Sequence, residues 1–421
     1  MSGAFFIFAH NSSKKIYMIK YITAGESHGK GLISVVSGFP SNLKISENYI
    51  NEQLRRRQSG YGRGLRMKIE SDTAKIISGV RYNKTLGSPI SMFIKNNDWE
   101  NWNDVMSVAK NKNENEKISI PRPGHADLVG TLKYNYDDIR NSIERSSARE
   151  TAARVAACSV ARRFLSEFGI EVGSYVESIG GIFSKDNYAD GLFEGKRIDS
   201  INAHEISSFS DKSIIRVMDV LQEKRIIKKI KLAKKRGDTL GGTFYIIATG
   251  VPVGLGSFVD YDSRLDAELA KSIMSIQAVK GVEIGIGFEA ANKFGSEVHD
   301  EIILKGKQFS RKTNHAGGIE GSISTGLPII IRGAMKPIST LMNPMQTIDL
   351  STMEKVKSRR ERSDFVAVPS CSVIAESMVA WTLASFFLQK FSGDSIEDIK
   401  ENYRNFKSKL YSRTKNNFSG R

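Results

Sequence analysis

Apolar positions recur along the chain with two periods, and these divide it into helices and short strands. From Ser46 the run SENYINEQLRRR sets Tyr49, Ile50 and Leu54 on one face, with Ser46 placed to cap a helix. A longer helix is expected over 147–168. There Ser147 and Glu150 have capping-box spacing, Ala152, Val155, Ala156 and Val160 form one stripe, and Gly169 ends it. Alanines at 148, 152, 153, 156, 157 and 161 would let a neighbouring element approach closely. Residues 263–276 repeat the pattern, with Asp266 completing a box and Leu265, Leu269 and Ile273 inward. Residues 374–388 are almost wholly apolar and read as a buried helix. Residues 31–39, 242–248 (GTFYIIA) and 327–331 (LPIII) read as strands. Residues 184–236 are polar and end in KRIIKKIKLAKKR, where isoleucines among the charges mark a surface helix with a solvated face. The first 17 residues show neither period and read as an extension, with Met18 an alternative start. Residues 404–421 hold six basic residues and no acid, and read as a frayed end.

Composition narrows the class. Hydrophobic residues at 40% and charged residues at 26% describe an ordinary globular chain and exclude a collagen-like or wholly disordered one. No apolar run approaches the 18 residues of a membrane span, and AFFIFA at 4–9 is too short for a signal-peptide core and has no basic leader. Cys158 and Cys371 are too few for a disulfide framework or a thiolate metal site, so a cytoplasmic protein without a metal is expected. Charge is the unusual quantity. Lys and Arg number 62 against 46 acids, a net +16, which points to anionic partners: nucleic acid, or small phosphorylated and carboxylated ligands.

Local motifs decide between these. GESHG at 25–29 satisfies the nucleophile-elbow pattern, but a strand-like run follows it where the elbow needs a helix. It also fails as a P-loop, because Gly31 replaces the required Ser or Thr. GIGFEA at 285–290 matches a relaxed dinucleotide fingerprint but has no acid about 20 residues later. The arginines carry more information. Arg55, Arg56, Arg57, Arg63 and Arg66 are broken by Gly60, Gly62 and Gly64 with no acid among them, a loop suited to folding over a ligand. Arginine favours two-point recognition of carboxylate and phosphate. Further arginines stand in RPGHAD (Arg122), RSSARE (Arg145, Arg149) and RRERSD (Arg359, Arg360, Arg362). Arg145, Ser146 and Ser147 are expected at a helix start, where free N–H groups favour an anion; plain capping explains the same serines. His28, His125 and His315 sit in glycine-flanked polar turns, as acid–base work on an anionic substrate would want. A nucleic-acid interface would interleave stacking aromatics with these arginines, and only Tyr61 lies in the loop. The basic helix at 224–236 and the basic end keep a nucleic-acid-binding protein as the alternative reading.

Taken together, the strings TAGESHGKG, RRRQSGYGRGLRMKIESD, RPGHADLVGTLKY, RSSARETAARVA, GVPVGLG, SIQAVKGVEIG, NHAGGIEGSIS, KPIST and RSDF…VPS…AE resemble the chorismate synthase family. They follow the family's order over roughly residues 18–388. Ser59 and Ile286 depart from the family pattern, and both termini are extended. The resemblance implies an α+β sandwich of helices packed between antiparallel β-sheets, assembled as a homotetramer. It implies an N-terminal extension (1–17), a catalytic domain (18–388) and a basic C-terminal tail (389–421). The implied reaction is trans-1,4 elimination of phosphate from 5-enolpyruvylshikimate 3-phosphate to give chorismate. That reaction uses reduced FMN without net redox change, with NADPH a candidate reductant and no membrane or nucleic-acid partner. Arg57, Arg63, Arg66, Arg122 and Arg149 correspond to substrate clamps. His28 corresponds to the group at the leaving phosphate, His125 to a residue at the flavin's pyrimidine edge, and Asp364 to the base that relieves flavin N5 of the proton taken from C6. Arg145, Ser146, Ser147, Gln277, Ala278, Gly321, Lys336, Pro337, Ile338, Ser339, Thr340 and Arg362 correspond to FMN contacts.

Overall fold

The computed structural model describes residues 19–62, 71–109, 117–195, 201–306, 308–360 and 364–416. Its first sheet contains β1 (Lys20–Ala24), β2 (Gly31–Ser37), β3 (Ala74–Ser78) and β4 (Ile90–Lys95), all antiparallel in the order β1-β2-β4-β3. Period-two alternation buries Leu32, Ser34 and Val36 of β2 and exposes Ile33, so one face of this sheet is covered. The second sheet is also antiparallel. It joins β5 (Glu171–Ile179), β6 (Ile182–Phe183), β7 (Gly242–Thr249), β8 (Val279–Ile284) and β9 (Ile329–Met335) in the order β8-β9-β7-β5-β6. Phe244 through Ala248 are buried without alternation, because helices cover both faces of this sheet.

The helices that fill the space between the sheets follow from their patterns. Ser46 caps α1 (Glu47–Gln58) as expected, its side chain accepting from the Tyr49 N–H at 3.3 Å. Two short helices, α2 (Asp127–Tyr134) and α3 (Arg140–Ser146), precede α4 (Thr151–Ser166), which touches both sheets. Ala152, Ala153, Ala156, Ala157 and Ala161 of α4 are buried, and their small side chains let α1 and the long apolar helix close in. On the outer face of the second sheet lies α5 (Ala203–Ser210), followed by the basic α6 (Val220–Arg236) and by α7 (Leu265–Met274) beside β8. The long apolar helix is α8 (Val368–Lys390), and α9 (Ile396–Asn416) ends the described chain. By length and a mean hydropathy of 1.6, α8 could cross a membrane, but 89% of that window is buried among the other elements. The expected sandwich of helices between antiparallel sheets is therefore the architecture found.

One ionic cluster ties these layers together. Glu376 of α8 is fully buried and accepts from Arg56 at 2.8 and 3.0 Å, Arg162 at 2.7 Å, Arg216 at 3.0 Å and the hydroxyls of Ser174 and Ser207. Burial alone would raise its carboxyl pKa; Arg56, Arg162 and Arg216 outweigh that and hold it far below the usual range. Removing the carboxylate would leave three cations facing one another. Glu376→Ala is expected to destabilise the fold by about 3–5 kcal/mol, read as a lower urea midpoint at unchanged slope. Because its folded pKa is depressed, the stability Glu376 provides is present above the unfolded value of 4.5 and lost as the pH falls toward the folded one.

Several element boundaries differ from the sequence expectation. The helix over 147–168 is split: Ser147 caps a short 3-10 turn by accepting from the Arg149 N–H, and α4 begins only at Thr151. Glu150 makes no capping box, because Thr23, Arg154 and Gln277 engage its carboxylate. Ser263 does not cap α7 either; its hydroxyl bonds Asp260, while Asp266 accepts from Ser322. The apolar helix starts earlier than 374, at Val368, with Pro369 in its first turn. The strand expected at 327–331 runs over Ile329–Met335. Residues 404–416 are not frayed. They continue α9, whose Ile396, Ile399 and Tyr403 are buried against Phe391 and the core.

Candidate functional site

GESHG forms a tight turn between β1 and β2. Gly25 has φ +103°, and a Cβ there would lie 2.3 Å from the Gly31 carbonyl oxygen, so only glycine fits. Asn96, fully buried just past β4, braces the turn. Its amide donates to the carbonyls of Glu26 (3.1 Å), Ser27 (3.3 Å) and Gly29 (2.8 Å). The Asn96 side-chain oxygen accepts from Arg149 Nε at 3.0 Å, which joins the turn to an arginine. His28 projects from this turn. Its Nδ1 lies 2.9 and 3.1 Å from the buried Glu144 carboxylate, its backbone N–H donates to the same group at 2.8 Å, and its ring stacks on Trp102 at 3.9 Å.

Arg149 leads to the arginine loop. Both Arg149 and Arg57 donate to Asp72, one to each carboxylate oxygen, and Arg57 also reaches Thr151 at 3.3 Å. The Asp72 side chain is fully buried, so it holds two guanidiniums side by side. The five arginines read together in the sequence do not act as one device. Arg56 turns away into the Glu376 cluster and Arg55 is exposed, while Arg57 alone of the three helical arginines joins Arg149. Arg63, Arg66 and Arg362 lie outside the described residues. Asp364 stands at the base of the loop: the next residue, Phe365, donates its N–H to the Gly62 carbonyl at 2.8 Å.

His125 and Arg122 form a second group. The buried Asp127 accepts from Arg122 Nε (2.8 Å), Nη2 (3.0 Å) and backbone N–H (3.0 Å), and from His125 Nδ1 at 2.5 Å. Burial would raise the Asp127 pKa, but the His125 and Arg122 bonds prevail and hold it well below the carboxylate range. Arg122 also donates to Thr340 at 3.0 Å, and Lys336 Nζ donates to the Gly124 carbonyl at 2.5 Å. That brings the segment Lys336, Pro337, Ile338, Ser339, Thr340 against the His125 turn, with Ile338 held through Thr239 at 2.7 Å. Ala278, in the left-handed region at φ +68°, accepts the Lys336 N–H at 2.9 Å, and Gln277 bonds Glu150 at 3.2 Å. Burial would raise the Glu150 carboxyl as well; Arg154 and the bonds from Thr23 and Gln277 hold it low.

Arg145 and Ser146 close α3 rather than open a helix, so the expected anion site at a helix N-terminus is not what they form. The Arg145 guanidinium instead donates to the carbonyls of Thr23 (2.9 Å) and Gly25 (3.1 Å), and Ser147 caps the turn that follows. Together with Tyr21, Thr23, Glu150, Arg154, Ser275 and Gln277, Arg145 lines a polar recess of about 380 Å³. Gly321 is set apart. Its neighbour Ser322 accepts the Leu265 N–H at the start of α7, whereas Gln277 and Ala278 follow the other end of that helix, about 15 Å away for ten residues. His315 is also apart, its turn held on Asp300 and its Nδ1 near the Val298 carbonyl. Asp72, Asn96, Trp102 and Glu144 carry no local signal in the sequence. Asp127, two residues from His125, carried a visible signal in its spacing.

An α+β layer structure that sets two histidines on buried carboxylates, beside arginines paired on a third, defines an enzyme site for a small polyanion. Comparison gives the particular family. The chorismate synthase family profile matches residues 19–388. The chorismate synthase of Chlorobaculum tepidum is 52% identical over 395 residues, 93% of this chain and 98% of that protein. That of Aquifex aeolicus is 49% identical over 393 residues, 92% and 97% of the two chains. A solved structure titled as chorismate synthase superposes with a TM-score of 0.74 at 40% identity, covering 94% of this chain and 99% of that one. The chain belongs to the chorismate synthase family, a family of lyases.

Proposed function

We propose that this chain converts 5-enolpyruvylshikimate 3-phosphate to chorismate by trans-1,4 elimination of phosphate and a C6 proton. The observation that carries this reading is the continuous polar path from His28 through Asn96 to Arg149, Asp72 and Arg57. It sets a histidine able to hydrogen-bond phosphate beside a fixed pair of forked cations. A substrate with two carboxylates and a phosphate needs that combination. Arg57, Arg122 and Arg149, with Arg63 and Arg66, hold those anionic groups. His28 hydrogen-bonds the departing phosphate and offsets its growing charge. Asp364, beside the loop, accepts the proton that originates at C6.

Reduced FMN is the cofactor we assign. The donors near Lys336 fit a phosphorylated flavin: Lys336 and Arg145 supply charge, Ser339, Thr340 and Ser147 hydroxyls, and the polar recess beside Gln277 and Arg154 has room for an anionic end. When bound, reduced FMN supplies transient electron density to the substrate with no net redox change. Within one chain Gly321 stands away from these donors, which favours a site completed in a homotetramer. The proposed compartment is the cytoplasm.

The test is an anaerobic assay with substrate and either dithionite-reduced FMN or FMN with NADPH. Activity in the first mixture alone defines an enzyme that takes reduced flavin from another source; activity in both adds a flavin reductase function; activity in neither overturns the assignment. A finer prediction concerns Arg57. Lysine keeps the charge on Asp72 but loses the fork. Arg57→Lys is expected to weaken substrate binding by about 1.5–3 kcal/mol, roughly tenfold or more, measured by equilibrium titration. Unchanged substrate affinity would place Arg57 outside the site.

A further inference from the structure

We propose that Glu144 is the positioning residue for His28: it fixes the imidazole tautomer and aims Nε2 at the substrate phosphate. This rests on the role given to His28 above. The carboxylates of Asp72, Asp127 and Glu376 are buried against arginines. Glu144 is as deeply buried, yet among the described residues its ion-pair partner is His28 alone. A carboxylate only accepts, so Nδ1 must carry the proton that points at it. The two ring nitrogens lie on opposite edges, and Nε2 is therefore directed away from Glu144.

Other contacts make the aim rigid. The Glu144 carboxylate also receives the His28 backbone N–H at 2.8 Å, and its carbonyl receives the Ser27 N–H at 3.1 Å. Trp102 stacks on the ring at 24° between planes, with Arg140 over the Trp102 ring at 5.5 Å. A flip of the imidazole would put a carbon where Nδ1 meets Glu144. In the elimination His28 acts as the imidazolium, its Nδ1–H held on Glu144, and its Nε2 proton passes to a phosphate oxygen as the C–O bond breaks. The ring is left neutral with its proton on Nδ1, and Glu144 stays a carboxylate throughout.

The experiment uses full-length protein with dithionite-reduced FMN and compares Glu144→Gln, Glu144→Asp, His28→Ala and His28→Ala/Glu144→Gln. Glutamine keeps the size, but its NH2 can face Nδ1 and favour the other tautomer. Glu144→Gln is expected to lower kcat about a hundredfold or more with substrate KM changed less than about threefold, and to add nothing in the His28→Ala background. Glu144→Asp should restore part of kcat. Nitrogen-15 shifts of labelled His28 should show Nδ1 protonated in the parent and in Glu144→Asp, and a changed tautomer in Glu144→Gln. If Glu144→Gln slows the His28→Ala enzyme by its full factor, or leaves kcat and tautomer unchanged, the proposal is overturned. If Glu144→Gln fails to fold, Glu144→Asp decides: a His28 without Nδ1 protonation there overturns it. A parent protein with no elimination activity would defeat the functional reading, and the nitrogen-15 readout would still decide what Glu144 does to His28.

Discussion

Replacing Asp364 with asparagine is expected to leave fold, assembly and FMN affinity in place while slowing turnover at least about a hundredfold. A carboxylate in RSDF could serve as an ion-pair partner for Arg359, Arg360 or Arg362, or as a base. The family resemblance points to the second role. The next residue anchors the backbone there: Phe365 donates to Gly62 and accepts from the Leu240 N–H at 2.9 Å, and its ring lies under Lys234 at 5.8 Å. Asparagine is nearly isosteric and still accepts a hydrogen bond, so it removes only the capacity to take a proton. Substrate deuterated at C6 reports how far proton removal limits the variant. Near-normal turnover, or loss of flavin with no specific effect on chemistry, would defeat the base assignment.

How much of this was legible in the sequence depends on the range of the interaction. Period and capping are local. The Ser46 cap, the alternation in β2 and the largely apolar α8 could therefore be read directly, and they define an α+β layer structure. Local spacing also misled where a distant partner won. Ser147 and Glu150 have box spacing, but Thr23, 127 residues away in sequence, takes part of the Glu150 carboxylate. Arg56 and Arg57 look equivalent in a string. On a helix they point about 100° apart, one to Glu376 and the other to Asp72.

The candidate site follows the same rule. Arginine clusters and glycine-flanked histidines mark where anions would be handled, and the family strings assigned roles to them. The groups that hold those side chains were silent because they come from far away. Glu144 lies 116 residues from His28, Asn96 lies 53 from Arg149, and Asp72 lies 77 from Arg149. Nothing near Asn96 in sequence sets it apart from a surface asparagine until β4 places it under the GESHG turn.

His28→Ala carries the other large expected effect: turnover lower by about 10²–10⁴ with FMN binding nearly intact. The geometry explains why the damage should stay chemical. The three Asn96 bonds go to main-chain carbonyls, and the residue-28 N–H can still reach Glu144, so an alanine leaves the turn braced. What is lost is the ring, its stacking on Trp102 and one donor to a buried carboxylate. That loss should destabilise by about 1–3 kcal/mol, which a fold with this much buried core tolerates. The proposed flavin contacts at Lys336, Thr340 and Gln277 hang on Arg122, Gly124 and Glu150 instead, and do not pass through His28. Anaerobic single-turnover measurement with reduced FMN separates chemistry from binding. A variant that binds flavin and substrate but releases phosphate slowly supports the assignment. One that loses flavin and unfolds early would make His28 a structural part of the GESHG turn.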